Sequence, residues 1–577
     1  MESFAGVPVS PGIAIGEVFL LETRRRALPE RTVAAADVAA EIERLAAAVT
    51  AAKAELEDLK RRAALPADIA AIFSTHDMLL ADATLRVEIE KCVREKLVPA
   101  ENAVAAVFDA LVARFKGLGE DYFAQRAADL RDVEERLLRA LIGERTGALA
   151  RMRRGVVVAA HDLTPSQTAL LDRRRTLGFL TDVGGPTSHT AIIARGIGMP
   201  AVVGLGDVTR KIRDGELVIV DGNKGLVIAD PDRPTLAKYQ GLARSYERYR
   251  AELAKIRDYP AQTLDGHAIR LMGNIEAPDE VQSVLDSGGD GVGLFRTEFL
   301  YGPGRPPPDE QAHFEAYVAA LERLGGRPLT IRTLDFGADK FTPDGAAARE
   351  ANPFLGSRSI RLCLEEPDIF LPQLRAIVRA AAHGNVRCLF PMISNLDELR
   401  RAKSLLEEAR ASLKKEGVYA GESLPIGVMV EIPSAAIIAD VLVEEVDFFS
   451  IGSNDLIQYA LAVDRGNERV AHLYQPAHPA MLRLIGQVVT VASDRGKGVS
   501  LCGEMAGDVL YTVLLLGIGL RELSLAPGAI PEIKKAIRGI TMEESREAAQ
   551  WCAAARDGED VQARLRDITG SLVSRMI

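Results

Sequence analysis

The sequence predicts a multidomain α/β protein, in which a small α/β domain carries an inserted all-helical domain and a (β/α)8 TIM-type barrel follows. Three observations predict it. Strand-like runs occur on both sides of a long block, Val33 to about Ile142, that contains none. Beyond Ala268, eight short apolar runs end in polar residues and are each followed by a helical stretch, which is the count a closed (β/α)8 barrel needs. The chain has 577 residues, enough for three or four domain-sized bodies, and three if one is a barrel.

The elements follow in order. Residues 4–21 alternate Val, Ile and Phe with Gly and Pro and read as short strands joined by turns. In the block after them, segments 34–62, 67–80, 82–115 and 121–142 carry apolar residues three or four apart, the spacing of packed amphipathic helices. Pro66 and Pro99 break or bend that pattern, and the GLGED stretch from Gly117 separates the last two helices. Strands resume at Gly155–Ala160, Thr176–Thr181, Ala201–Val203 and Glu216–Ile228, the last folded back on itself at Asp221-Gly222-Asn223. The expected division is therefore 1–21 with 145–230 as the α/β domain, 22–144 as the helical insert, 231–260 as a charged helical linker and 261–577 as the barrel. The barrel strands are expected at Leu271–Ile275, Val292–Arg296, Thr330–Asp335, Arg387–Pro391, Gly427–Glu431, Phe448–Gly452, Ser500–Gly503 and Glu522–Leu525. A doubly wound sheet is the structural competitor, but it rarely keeps eight βα units.

Composition narrows the function. Apolar residues make up 47% and charged residues 26%, and the net charge is −10, which argues against duplex binding while leaving room for a local basic pocket. The five Cys, at 92, 363, 388, 502 and 552, form no CxxC pair and read as free thiols of a reducing compartment. The N-terminus lacks a basic leader, and the apolar run from Val509 is too short to cross a bilayer. The expected location is the cytoplasm.

Barrel sites form at the C-terminal ends of the strands, and three features stand there. Arg296 and Arg332 end or line strands two and three, with Arg358 close behind; guanidinium forks in a ring suit a small, multiply charged anion. Glu431 follows strand five and Asn454-Asp455 follow strand six; two carboxylates from adjacent strands suit Mg²⁺, which takes oxygen ligands and substrate phosphate. Any one of these alone reads equally as part of an ion-pair layer at the rim, and the set as a site. Cys502 alone reads as a small buried apolar residue; its place at a strand end, level with the arginines and just before Glu504, is what marks it.

A second constellation is DVGGPTSHTAIIARGIGMPAVVG. Gly184 and Gly185 give a flexible entry, and the run from Ala191 is helix-like until Gly196, so His189 falls at or near a helix N-terminus. Unpaired N–H groups and the helix dipole favour a phosphate on that ring, and an imidazole nitrogen is a competent phosphoryl acceptor. Thr187, Ser188 and Thr190 supply hydroxyls nearby. A histidine that only caps a turn is the plainer reading of an isolated THT-type pattern. No Walker A sequence and no dinucleotide fingerprint occur, so the expected donor is a phosphorylated metabolite and not ATP.

Together GGPTSHTAIIAR, GVGLFRTEFL, DFGADK, NPFLGSRSIR, VMVEIPS, FFSIGSNDLIQYALAVDR and CGEMAGD, in this order, resemble the phosphoenolpyruvate-utilising enzymes. The helical insert with RAADLRDVEERLLR narrows the likeness to the enzyme I family of the bacterial phosphotransferase system, over essentially the whole chain. The resemblance implies a phosphohistidine α/β domain with His189 as the phosphoryl acceptor. It implies phosphoenolpyruvate bound by Arg296, Arg332, Arg358 and Arg465, with Asn454 and Asp455 contacting it. It implies Mg²⁺ on Glu431 and Asp455, and Cys502 protonating the enolate as pyruvate leaves. It further implies that the insert docks the small carrier protein HPr, that the barrel forms a homodimer, and that the chain performs the first step of sugar uptake. Two departures appear: Pro186 stands where arginine is usual, removing a positive contact near His189, and Ala338 stands where glycine is common. Pyruvate–phosphate dikinase and phosphoenolpyruvate synthase share these motifs but need an additional nucleotide-binding domain, for which the chain has no room. A carrier-binding regulator without turnover is opposed by the intact residue set.

Overall fold

The computed structural model describes residues 1–21, 31–62, 73, 76–116, 121–143, 152–164, 167–168, 171, 175–185, 190–191, 194, 198–301, 307–336, 352–421, 423–465, 467 and 469–576. The chain forms two compact units, Met1–Tyr249 and Arg250–Ile577.

In the first unit, β1 (Glu2–Ala5), β2 (Val7–Ser10) and β3 (Ile13–Leu21) precede the helices, while β4 (Val156–Ala160), β5 (Thr176–Thr181), β6 (Ala201–Val203), β7 (Leu217–Asp221) and β8 (Leu226–Ala229) follow them. All eight join one sheet in the order β1-β8-β7-β3-β4-β5-β6-β2. Its centre, β3-β4-β5-β6, is parallel, and both flanks are antiparallel. Every residue of β4 is buried, as a strand covered on both faces should be. The Val- and Ile-rich run Glu216–Ile228 is the expected hairpin, with Asp221 Oδ1 accepting from the amides of Asn223 and Lys224 at 3.1 Å each.

Four long helices, α1 (Val38–Arg62), α2 (Ala83–Lys96), α3 (Ala100–Lys116) and α4 (Asp121–Ile142), fill most of the strand-free block. Of the expected helix 67–80, residues 73 and 76–80 are helical, and 67–72 and 74–75 lie outside the described residues. They bury a core of their own around Leu45, Leu56, Phe108, Val133 and Leu137. The expected single helix over 82–115 is two. Leu97, in the left-handed region at φ 49°, ends α2, and Pro99 precedes α3. The Glu41 carboxylate from α1 accepts from Ala100 N at 3.1 Å, satisfying a donor that the break exposes. The charged stretch after β8 is the helix α5 (Arg233–Ile256).

The second unit is a closed barrel of eight parallel strands: β9 (Arg270–Ile275), β10 (Val292–Phe295), β11 (Leu329–Arg332), β12 (Val386–Phe390), β13 (Ile426–Val430), β14 (Phe448–Ile451), β15 (Gly498–Leu501) and β16 (Glu522–Leu525). These are the eight expected runs, but several stop sooner than their apolar pattern. Arg296, Asp335, Pro391, Glu431, Gly452 and Gly503 lie past the last paired residue. The pairing ends where the chain turns to its helix, so Arg296 and Glu431 belong to loops. Arg296 N still donates to Ile275 O at 2.9 Å, which fixes where that loop begins. No helix among the described residues is long and apolar enough to cross a membrane; the run from Val509 becomes a ten-residue helix, Val509–Ile518.

Candidate active site

The loops at the C-terminal ends of the barrel strands enclose a cavity of about 510 Å³. Its lining includes Arg296, Arg332, Arg358, Arg465, Glu431, Asn454, Asp455 and Cys502, so the barrel-borne residues singled out from the sequence converge on one space. His189 lies outside the described residues, as do Pro186, Thr187, Ser188 and Ala338. Thr190 and Ala191 are helical. Thr190 does not offer a free hydroxyl: it is buried, and its Oγ1 donates to Leu163 O at 2.9 Å.

Each arginine is set by a carboxylate. Arg332, the last residue of β11, pairs with Asp335 at 2.6 Å and with Glu298 at 3.1 Å. Arg358 reaches the other oxygen of Asp335 at 3.0 Å. Burial opposes the charge on Arg332, but Asp335 and Glu298 hold its guanidinium above the ordinary range. Asp335 is buried too, and the two arginines overcome that burial to keep its carboxyl below the usual range. The Nε–H groups of Arg332 and Arg358 are buried without an acceptor among the described residues, donors that suit an anion-binding pocket. At the mouth, Arg296 meets Glu276 at 2.7 Å and Arg465 meets Glu504 at 3.5 Å, all four partly exposed. Glu504 accepts from Asn454 Nδ2 at 3.1 Å, and its own N–H donates to Asn454 Oδ1 at 2.9 Å.

Glu431 is buried. Its Oε1 accepts from Met392 N at 2.6 Å, while its Oε2 faces Gly452, where a Cβ would come within 2.8 Å. Burial first, then the charges of Asp335 and Asp455, push its carboxyl well above the usual range; Asp455 is raised by burial and Asp335. Two carboxylates forced together at a cavity wall make a set that a divalent cation would neutralise. The described residues contain no cluster of three or more His, Cys, Asp or Glu of the kind that cages a metal. A hard cation that completes its shell with substrate oxygens and water needs fewer protein ligands than that, so the donor set fits such an ion.

Cys502, just past β15, packs with Leu294, Leu389, Met429 and Phe448 inside the barrel and also lines the cavity. Its Sγ accepts from Ser450 Oγ at 3.3 Å, and Asn274 Nδ2 donates to its carbonyl at 3.0 Å. Burial raises the thiol above its ordinary range, so it holds its proton at neutral pH. The other four cysteines are free and buried.

Glu298, Asp335, Glu276 and Asn274 were not anticipated. Glu298 and Asp335 stand two and three residues after Arg296 and Arg332, and an acid that close behind a strand-end arginine is the signal that could have found them.

The PEP-utilising enzyme, PEP-binding domain, family model matches residues 250–542. The PEP-utilising enzyme, N-terminal, and PEP-utilising enzyme, mobile domain, models match residues 5–126 and 152–225. Relatives called phosphoenolpyruvate-protein phosphotransferase include one from Geobacillus stearothermophilus, 45% identical over 96% of each chain. One from Priestia megaterium is 45% identical over 93% of this chain and 94% of its own, and one from Bacillus subtilis (strain 168) is 42% identical over 98% and 100%. The chain belongs to the PEP-utilising enzymes and, within them, to the family of the phosphoenolpyruvate-protein phosphotransferases.

Proposed function

We infer that this chain takes the phosphoryl group of phosphoenolpyruvate onto its own His189 and passes it to a histidine of a small HPr-type carrier, releasing pyruvate. The observation that carries this reading is the convergence of four arginines, the carboxylates of Glu431 and Asp455, and the Cys502 thiol on the barrel cavity, where Glu276, Glu298 and Asp335 pair with the arginines. Arg296, Arg332, Arg358 and Arg465 would bind the carboxylate and phosphate of the substrate, and Asn454 and Asp455 would add contacts. Glu431 and Asp455 would hold Mg²⁺, which as a Lewis acid spreads negative charge from the transferred group. In the transfer, the bond from phosphorus to the enol oxygen breaks as a bond to an imidazole nitrogen forms. The enolate left behind takes the Cys502 proton at carbon, and solvent returns a proton to the thiolate. Preorganised positive charge is what such a transfer needs most.

The wider reading assigns 1–21 with 145–230 to the phosphohistidine domain, 22–144 to carrier docking, 231–260 to the linker and 261–577 to substrate binding and homodimer formation, as the first step of sugar uptake. The single test is incubation with labelled phosphoenolpyruvate and Mg²⁺. One acid-labile, base-stable phosphohistidine is expected, at His189 by mass spectrometry; label on another histidine or on a serine would sink the assignment.

The two compact units give a further expectation. A fragment ending near residue 250 should fold and accept phosphate backward from a phosphorylated carrier, but never from phosphoenolpyruvate, because the arginines and carboxylates lie beyond the cut. A fragment that used phosphoenolpyruvate directly would overturn this division of labour.

A further inference from the structure

Behind the cavity wall, one uncharged side chain ties together the two loops that carry Arg296, Glu298 and Asp335. Gln373 lies on the helix Pro367–Ala380 and is fully buried. Its Oε1 accepts from Leu334 N at 3.0 Å, and its Nε2 donates to Thr297 Oγ1 at 3.0 Å and to Tyr317 Oη at 3.3 Å. Thr297, also fully buried, stands between Arg296 and Glu298, and its hydroxyl donates to Arg332 O at 3.2 Å. Leu334 stands next to Asp335. A single carboxamide therefore joins the loop after β10 to the loop after β11.

One arrangement of protons satisfies every group. The Thr297 proton is committed to Arg332 O, so its oxygen must accept, and only the amide face of Gln373 can donate to it. Tyr317 likewise accepts from Gln373 and sends its own proton to His313 Nδ1 at 3.0 Å. His313 Nε2 then carries the hydrogen toward Tyr301 Oη at 3.3 Å. That is a neutral imidazole, consistent with burial lowering His313 to about 4. Every donor in the chain points the same way, and a glutamate at 373 would present acceptors where donors are required.

We propose that Gln373 is a positioning residue for the transfer: by clamping Thr297 to Leu334 it fixes the spacing of Arg296 and Glu298 against Arg332 and Asp335. This rests on the reading that the cavity binds phosphoenolpyruvate. Buried polar networks with every partner satisfied hold one geometry, and a misplacement of about 1 Å in a binding site costs on the order of 10²-fold in rate.

The test compares full-length Gln373→Met, which keeps the shape and loses all three bonds, with Thr297→Val and the double variant. Initial rates of pyruvate release are measured with phosphoenolpyruvate, Mg²⁺ and carrier, alongside melting temperatures. Each single change should lower kcat/KM by about 10–100-fold, with KM for phosphoenolpyruvate raised. The double variant should be no worse than the poorer single, because both cut one clamp. Gln373→Glu should not rescue. Unchanged kcat/KM with a lowered melting temperature would make Gln373 mere packing, and multiplicative losses in the double variant would mean there is no shared clamp; either overturns the proposal. Should Gln373→Met fail to fold, Thr297→Val decides alone, and an unchanged KM then overturns it. Failure of the underlying reading looks different, because the unaltered chain would then release no pyruvate.

Discussion

Cys502→Ala is expected to lower pyruvate release from phosphoenolpyruvate by about 10²–10⁴-fold, the usual loss when a positioned general acid is removed, while phosphate exchange with a phosphorylated carrier persists. Making pyruvate needs two events, transfer to His189 and protonation of the enolate carbon, and only the second is assigned to the thiol. Three observations suit that role: burial keeps the thiol protonated, Ser450 Oγ donates to the sulfur, and Cys502 lines the cavity together with the arginines. His189→Ala, by contrast, should abolish both reactions while the barrel still binds phosphoenolpyruvate and Mg²⁺. Paired assays of carrier exchange and pyruvate release on Cys502→Ala decide the matter. Near-normal pyruvate release would return Cys502 to the apolar floor formed by Leu294, Leu389, Met429 and Phe448.

Arg332→Met should damage stability and activity together. The guanidinium is buried between Asp335 and Glu298, so truncating it leaves two carboxylates without their main partner. Breaking a buried pair from one side costs about 3–5 kcal/mol, and losing one transition-state donor costs about 10²–10³ in kcat. Arg465→Met is the contrast. That side chain is exposed and only loosely paired with Glu504 at 3.5 Å, so substrate affinity should fall with the denaturation midpoint nearly unmoved. Equal midpoint losses in urea for the two variants would contradict the burial argument.

The barrel was legible because each strand is a short apolar run bounded by turns, and the position of such a run is local information. Arg296, Arg332, Glu431 and Cys502 could be found for the same reason, each standing at the end of one. What the sequence left unread is pairing across the chain. Nothing near Glu298 says that it will meet Arg332, and nothing near Gln373 says that it will bridge Thr297 and Leu334, because the pairing of β10 with β11 across the intervening chain creates those neighbours. The break at Pro99 was visible as a proline, but the Glu41 carboxylate that caps the following helix comes from α1. Thr190 misled for a similar reason: its hydroxyl stands beside His189 in sequence and is committed to Leu163 in space.

The order of strands in the first sheet has a consequence for synthesis. Among the described residues Glu2–Ala5 pairs with Leu226–Ala229 alone, so the strand of this sheet that is made first waits for the one made last. At about 5–20 residues per second, that wait is on the order of 10–45 s. The four helices between them close their own core from nearby contacts and can fold while translation continues. β1 cannot pair until β8 is made, and pairings between residues this far apart form slowly and leave edges open to association. A nascent chain stalled short of residue 226 would therefore hold a finished helical bundle beside a β1 with no partner and an unfinished sheet edge, and it is at this stage that a holding chaperone would matter most.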